Sequence, residues 1–270
     1  MKKIIMILVA LGLTAAVSMA AIVNQGANST SVNPAADTGT LTLADFDGTS
    51  GNFVIVSVSS KVAGNDTNGN SSAVSALTYG GAAMTHLGGG FAYASSYGLY
   101  TDLYAIYTSG TGSISLDYDM GGSSDHDSVS IVAASYSGVG GYNLAGLTAD
   151  GTPLSAYDNK VNDSITTIGT GSMIVVGLGI GSPSVTATIA DDSQPADYTL
   201  IDTENGSAKG WNALFQLDAA TAGLYGINTD MSGANRLSQV GVELVVPEPA
   251  TVGMLGLGAI VALLVRRVRA

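Results

Sequence analysis

Few residues of this 270-residue chain could carry acid–base or nucleophilic chemistry. Only two histidines occur, His86 and His126, and there is no cysteine. The string Ser123-Ser124-Asp125-His126-Asp127 places Ser, His and Asp side by side. Neighbouring side chains of an extended chain point to opposite faces, whereas a catalytic base must approach its nucleophile from a distant segment. No G-x-S-x-G sequence occurs either, so a serine hydrolase is not indicated.

A glycosidase would need two carboxyl groups across a cleft, one of them with a raised pKa. The only glutamates between residues 21 and 246 are Glu204 and Glu243, and Trp211 is the only tryptophan of the chain. Aspartates are abundant but sit among Gly, Ser and Asn, where turn-forming Asx hydrogen bonds explain them. We therefore expect no catalytic residue, and a secreted glycan hydrolase is the least favoured function.

Calcium is the most credible ligand for these aspartates, because it takes hard oxygen donors from flexible loops. The residue twelve positions into the loop that starts at Asp45 is Val56, so this loop is not an EF-hand. A structural calcium ion is compatible with the sequence, but no site can be assigned and no other cofactor is expected. The candidate pairs are Asp45 with Asp47, Asp117 with Asp119, Asp125 with Asp127, and Asp191 with Asp192.

Five tyrosines cluster on what we predict to be adjacent strands. They could form a platform on which sugar rings stack, although packing on a half-buried sheet is the simpler account. A carbohydrate-binding, lectin-like module is therefore the alternative function. The five are Tyr93, Tyr97, Tyr100, Tyr104 and Tyr107.

The N-terminus has the composition of a secretory signal peptide. Lys2 and Lys3 are followed by an uncharged run from residue 4 to 17 and by Ser-Met-Ala, which predicts cleavage between Ala20 and Ala21. Residues 21–246 then carry 20 acids against 4 bases, a net charge of −16. Such a surface repels nucleic acid, so no nucleic-acid partner is expected. Without cysteine, the exported fold must depend on its core.

The C-terminus combines three features. Pro247-Glu248-Pro249 ends any strand or helix that precedes it. An uncharged run then extends to Val265, and Arg266, Arg267 and Arg269 supply a cationic stop on the cytoplasmic side. The run of roughly fifteen residues is shorter than the ~20 of a comfortable membrane span. We therefore predict a short C-terminal transmembrane helix that attaches the protein transiently.

These three features, in this order, resemble the PEP-CTERM sorting signal of Gram-negative bacteria. The resemblance implies that an exosortase, a membrane protease, recognises Pro247, Glu248 and Pro249 and that the tail is removed during export. It implies an inner-membrane intermediate and then a cell-surface, outer-membrane or extracellular protein of the matrix, linked to exopolysaccharide and biofilm. A plain C-terminal anchor behind a proline-bounded linker is the alternative, although such an anchor is usually longer.

Between the two ends, short apolar runs alternate with Gly, Ser, Asn and Asp turns, and no long 3.6-residue period occurs. This pattern predicts an all-β fold, an antiparallel β-sandwich or jelly roll, as one domain over residues 41–246. Residues 21–40 form a polar leader or a first edge strand, residues 138–146 a loop, and residues 247–270 the sorting and anchor segment. We predict strands at 52–60, 73–78, 82–87, 98–107, 113–119, 128–137, 172–180, 185–189, 198–202, 211–217 and 237–246.

The first half of this region carries four landmarks: A-L-T-Y-G-G-A-A-M-T from Ala76, L-Y-A-I-Y from Leu103, G-T-G-S-I-S-L from Gly110 and A-A-S-Y-S-G-V from Ala133. Their order and spacing resemble a β-sandwich module that recurs in bacterial secreted proteins. The module usually has Trp-Tyr where this chain has Ile106-Tyr107. The resemblance implies a sandwich that the second half completes, and it implies no catalytic residue.

Overall fold

The computed structural model describes residues 21–34, 36–48, 51, 53–63, 73–93, 97–108, 110–121, 128–150, 160–191, 197–204 and 209–247, without the side chains of 63, 93 and 145–150. The predicted signal peptide and C-terminal helix lie outside these residues. Within them, no helix is long and apolar enough to cross a membrane. The strands are β1 (Val23–Val32), β2 (Thr38–Asp47), β3 (Phe53–Ala63), β4 (Val74–Tyr79), β5 (Ala82–Ala83), β6 (Thr85–Tyr93), β7 (Tyr97–Tyr107), β8 (Thr111–Asp119), β9 (Ser128–Ser137), β10 (Gly141–Asp150), β11 (Lys160–Thr167), β12 (Ser172–Ile180), β13 (Ala187–Ala190), β14 (Thr199–Glu204), β15 (Trp211–Ala219), β16 (Gly223–Met231) and β17 (Leu237–Val245).

The strands form four antiparallel sheets, which confirms the predicted all-β fold. Sheet A has the order β1-β9-β3-β7-β6, and sheet B has the order β2-β8-β4-β5. Sheet C has the order β10-β17-β12-β15-β14, and sheet D has the order β11-β16-β13. Sheets A and B use only the first half of the chain, and sheets C and D use only the second half.

The second half repeats the topology of the first. If the two-residue strand β5 is left out, β10 to β17 occupy in sheets C and D the positions that β1 to β9 occupy in sheets A and B. The expectation that the second half completes one sandwich is therefore wrong. Each half forms its own sandwich, because each supplies both a five-stranded sheet and the smaller sheet that covers it.

The correspondence extends to single residues. In the first half, Phe53 of β3 lies opposite Tyr107 and Tyr136. In the second half, Met173 of β12 lies opposite Asp218 and Leu244. The run F-V-I-V-S-V that begins at residue 53 thus corresponds to M-I-V-V-G-L at residue 173. Both β3 and β12 are central strands that are buried on both faces, as predicted for β3.

The four sheets stack in the order B, A, C, D, with a hydrophobic core in each gap. Val56 faces Leu116 of sheet B within the first core. Val176 lies with Ile227 of sheet D in the second core. The neighbouring residues of β3 and β12 point the other way, and Ile55 belongs with sheet C to the third core. The two sandwiches are therefore joined face to face through sheets A and C.

The two central strands approach each other most closely in this third gap. A Cβ atom on Gly177 would lie 2.8 Å from Ser57 Oγ, and a Cβ atom on Gly179 would lie 2.5 Å from Ser59 Oγ. Real Cβ atoms do not come this close to other heavy atoms, so positions 177 and 179 of β12 require glycine. We call Ser57, Ser59, Gly177 and Gly179 the glycine seam.

Hydrogen bonds along the seam are reciprocal between the two halves of the chain. Asn212 Nδ2 donates to the carbonyl oxygens of Ser57 and Ser130, both at 3.1 Å. Thr101 Oγ1 donates to the carbonyl oxygen of Ser238 at 3.1 Å. In the register of the two halves, Thr101 corresponds to Asn212 and Ser130 corresponds to Ser238. The two sandwiches are thus hydrogen-bonded to each other through equivalent positions.

A buried cation, the Lys61 ammonium group, also joins the two halves of the chain. Lys61 is 8% exposed, and its Nζ donates to the carbonyl oxygens of Gly181 and Lys209, both at 3.0 Å. The same Nζ lies 4.3 Å from the ring centre of Tyr97, and the Arg236 guanidinium lies 4.8 Å from that ring. Tyr97 is therefore a structural residue that binds two cations from different halves of the chain.

Two edge strands, β10 and β1, bear on the sequence predictions. The predicted loop at 138–146 is wrong, because β10 begins at Gly141 and pairs with β17. Its residues, G-Y-N-L-A-G, lack the β-branched residues by which strands are recognised, and edge position relaxes that requirement. Residues 23–32 form β1, an edge strand of sheet A.

The glycine seam generates a stability prediction. Gly179→Ala adds a Cβ atom that overlaps Thr101 Oγ1 and lies 2.5 Å from Ser59 Oγ, so we expect a loss of about 1–3 kcal/mol in the free energy of unfolding. Urea denaturation measures the loss. Gly223→Ala is the matched control, because a Cβ atom there meets nothing within 4 Å. Equal stability of the two variants would contradict the packing of β3 against β12.

Candidate functional site at the exit end

The predicted sorting motif begins directly after the last strand. Strand β17 ends at Val245, Val246 is half-buried, and Pro247 is exposed. Glu248, Pro249 and the three arginines of the predicted stop (266, 267 and 269) lie outside the described residues, as does Ala20. One residue therefore separates the folded part of the chain from the start of the motif.

The two ends of the described chain meet at one short linker. Residues 138–140 connect β9 to β10. Gly138 has a φ of +75°, and a Cβ atom there would overlap the carbonyl oxygen of Ala21. A Cβ atom on Gly140 would lie 2.5 Å from the nitrogen of Pro247. The chain thus enters at Ala21 and leaves at Pro247 on the same end of the molecule, which we call the exit end; the opposite end is the distal end.

Three apolar residues anchor the exit end in the core between the sandwiches. Ile22 is 6% exposed and Val139 is 2% exposed, and both belong to the third core. Val246 packs partly buried against the same core. The entering chain, the linker and the leaving chain therefore depend on one another for burial.

A buried carboxylate fixes the last strand next to the exit. Glu243 has no exposed surface, and it accepts hydrogen bonds from the backbone N–H groups of Ile168 (3.0 Å) and Gly169 (2.9 Å) and from Asn143 Nδ2 (2.9 Å). Such charge-assisted bonds offset the cost of burying the carboxylate. Glu243 therefore ties the β11–β12 turn and β10 to β17, two residues before β17 ends.

The second glutamate lies far from the first along the strands. Glu204 is half-buried at the distal end, where it lies opposite Asn212 and accepts a hydrogen bond from Ser31 Oγ at 2.9 Å. Glu243 lies at the exit end. The two glutamates do not flank one cleft, so they cannot serve as the paired carboxylates of a glycosidase.

The histidines are not part of a triad in the described residues. His86 Nε2 lies 3.0 Å from Asp102 Oδ1, and Asp102 is 7% exposed. The hydrogen bond to Asp102 raises the pKa of His86 above its ordinary value, although burial opposes this. His126 and its neighbouring aspartates lie outside the described residues. Sequence reasoning missed the His86–Asp102 pair, since it joins β6 to β7 diagonally across the sheet.

The candidate aspartates do not gather at one point. Asp117 accepts a hydrogen bond from Thr40 Oγ1 at 2.7 Å, and the buried Asp191 accepts one from the Gly226 N–H at 2.9 Å. Among the described residues, no group of three or more His, Cys, Asp or Glu could hold a metal ion. Calcium therefore stays a prediction without a site. Three of the candidates lie outside the described residues: Asp125, Asp127 and Asp192.

The described tyrosines do not form one flat exposed face. Tyr100 is buried and lies 4.9 Å from the ring centre of Phe91. Tyr104 lies on the same face of β7, 4.8 Å from the ring of His86. Tyr107 is half-exposed but points to the opposite face of the strand, since its position is odd. These contacts favour sheet packing over a sugar-binding platform.

A shallow cleft lies beside sheet C. Its volume of about 200 Å³ is below the ~300–1,000 Å³ of typical ligand sites. This cleft therefore offers little room for a sugar chain. It is lined by Asp197, Thr199, Gln216, Leu217 and Asp218.

Glu243 generates a prediction for the exit end. Glu243→Gln replaces a carboxylate oxygen by an NH2 group that faces backbone N–H donors, so we expect a loss of about 1–3 kcal/mol in the free energy of unfolding. Hydrogen exchange at the amides of Ile168 and Gly169 should accelerate more than elsewhere. The control is Glu204→Gln, where a half-buried carboxylate accepts from one hydroxyl group. A larger loss for Glu204→Gln would be evidence against this account.

The His86–Asp102 pair generates a pH prediction. Because the pKa of His86 is raised in the folded state, the stabilisation by this pair is complete below the unfolded pKa of about 6.5 and is lost as the pH rises through the folded pKa. His86→Asn should lower the melting temperature by roughly 1–4 °C at pH ~6. The difference should shrink by pH ~9. An unchanged difference at both pH values would show that the pair is not ionised as described.

One comparison with known proteins bears on the exit end. Residues 245–269 match the PEP-CTERM protein-sorting motif, whereas no curated protein and no solved structure matches the chain. The match confirms the resemblance noted in the C-terminal sequence. It begins at Val245, the last residue of β17. The motif implies export, processing by an exosortase, and a cell-surface or extracellular location. This chain therefore carries a PEP-CTERM sorting motif joined directly to the last strand of its fold.

Proposed function

We propose that this protein is an exported structural component of the cell surface or extracellular matrix, and not an enzyme. The observation that carries the proposal is the sorting motif, whose Pro247 is separated by one residue from the last strand of a four-layered, cysteine-free β stack. A well-packed domain joined to a sorting signal suits an assembly or matrix protein.

The proposed route uses both ends of the chain. The signal peptide directs export and is cut between Ala20 and Ala21. The apolar run up to Val265 then holds an inner-membrane intermediate, with the arginines on the cytoplasmic side. An exosortase recognises residues 247–249 and releases the domain to the surface.

The geometry of the exit end supports this route. Ala21 and Pro247 both pack against the linker at 138–140, so the two membrane-directed segments leave the fold side by side. Pro247 is exposed although it lies one residue past Val246. The motif can therefore be recognised while the domain stays folded.

The packing of the described residues supports the structural role. The hydrogen-bonding capacity of the Glu243 carboxylate is used inside the fold, and each gap between sheets is filled by a hydrophobic core. The net charge of −16 over residues 21–246 keeps the released domain soluble. Exopolysaccharide of a biofilm is the proposed setting, and the resemblance of the tail to the sorting family is what supports it.

Sorting is tested on the mature protein. Mass spectrometry should find an N-terminus at Ala21 and a C-terminus near residues 247–249, without Ala270. Glu248→Ala should leave most of the protein unprocessed at its C-terminus, because it removes the acidic residue of the motif. Glu204→Ala is the control and should be processed normally. An intact Ala270 in the wild-type surface protein would overturn the proposal.

A further inference from the structure

Exposed large hydrophobic side chains concentrate at the exit end. Of the six in the described residues, five lie close to that end, and Leu200 lies opposite Phe215, the middle residue of β15. Ile168 is 67% exposed and Leu224 is 60% exposed. The other three are Val23, Tyr107 and Leu144, between 47% and 49% exposed.

Basic residues show the opposite distribution. All four between residues 21 and 246 lie at the distal end: Lys61, Lys160, Lys209 and Arg236. Apart from His86, which pairs with Asp102, the charged side chains that the structure shows exposed at the exit end are acidic, such as Asp47 and Asp218. The described part of the molecule is therefore polarised along its strands, with an apolar and mostly acidic exit end and the four Lys and Arg side chains of residues 21–246 at the distal end.

The chain beyond the described residues places the exit end near a bilayer. The apolar C-terminal run begins at Val252, five residues after Pro247. Five extended residues span at most ~18 Å. On the other side, Ala21 directly follows the predicted signal peptide. While either apolar segment is in the membrane, the exit end cannot lie far from the headgroups.

We propose that the exit end is a docking surface for zwitterionic lipid headgroups, on which the folded domain rests while its tail is in the bilayer. The inference rests on the proposed function and adds a role for the folded domain itself. Exposed apolar side chains gain from partial burial at the headgroup boundary. The acidic residues disfavour an anionic surface.

A lipid surface fits this end better than a second copy of the chain. A dimer through the exit end would have to accommodate the C-terminal membrane-directed segment of each copy, because Pro247 of each copy lies there. A bilayer accepts these segments without rearrangement. Docking also holds Pro247 at the depth where a membrane protease can reach it.

The absence of cysteine allows a direct test with single labels. Leu224→Cys places a label on β16 at the exit end, and Ala234→Cys places a matched label on an exposed residue past the distal end of β16. The full chain, carrying an environment-sensitive fluorophore at one position, is reconstituted with phosphatidylcholine vesicles. The label at 224 should gain intensity several-fold, shift to the blue and be quenched by a spin-labelled lipid. The label at 234 should do none of these.

The outcomes separate docking from the proposed function. If the protein floats with the vesicles but the label at 224 stays exposed to water, docking is overturned and the proposed function is not affected. Failure to float overturns docking and the membrane step of the proposed route together. The label at 224 could instead be shielded in the absence of vesicles, and increasingly so at higher protein concentration. That result would assign the surface to a second copy of the chain and overturn the lipid assignment.

Two variations of this experiment test the role of the apolar residues and the choice of lipid. Adding Ile168→Ser to the label at 224 should lower the vesicle response at least two-fold, and an undiminished response would contradict a role for the apolar residues. Replacing half of the lipid by phosphatidylglycerol should also reduce the response. An equal or larger response would overturn the choice of zwitterionic lipid.

Discussion

The close approach of β3 and β12 is the constraint on which the rest of the structure depends. Ser57 and Ser59 occupy the space that Cβ atoms on Gly177 and Gly179 would need, so the two central strands can lie against each other only with glycine on one of them. This contact lets two sandwiches, each complete in itself, bury a common core. The shared core in turn supplies the burial for Ile22, Val139 and Val246.

The short linker then determines which ends meet. Strand β9 ends at Ser137 and β10 begins at Gly141, so the second sandwich must start at the end where the first one stops. Because each sandwich has the same topology, β1 and β17 also begin and end there. The closeness of Ala21 and Pro247 is therefore a consequence of the repeated topology and the three-residue linker.

What could be predicted from sequence was local and contiguous. Strands β9 and β12 have the predicted bounds, since their apolar runs are buried on both faces, and the sorting motif is a linear pattern at residues 247–249. The repeated topology was missed because corresponding runs such as 53–58 and 173–178 share apolar positions but few identities. The His86–Asp102 pair and the exit end were missed because register and packing create them, and neither is encoded by spacing along the chain.

The approximate symmetry is most informative where it is broken. The last residues of β9 and β17, Ser137 and Val245, occupy equivalent positions. After β9 comes Gly138 at a φ of +75°, a conformation that glycine adopts readily and that turns the chain into the linker. After β17 come Val246 and Pro247, which disfavour that turn and keep the backbone extended. The end of β9 thus leads into a second sandwich, whereas the equivalent end of β17 leads out of the fold and into the sorting motif. The difference lies in the two residues that follow each strand.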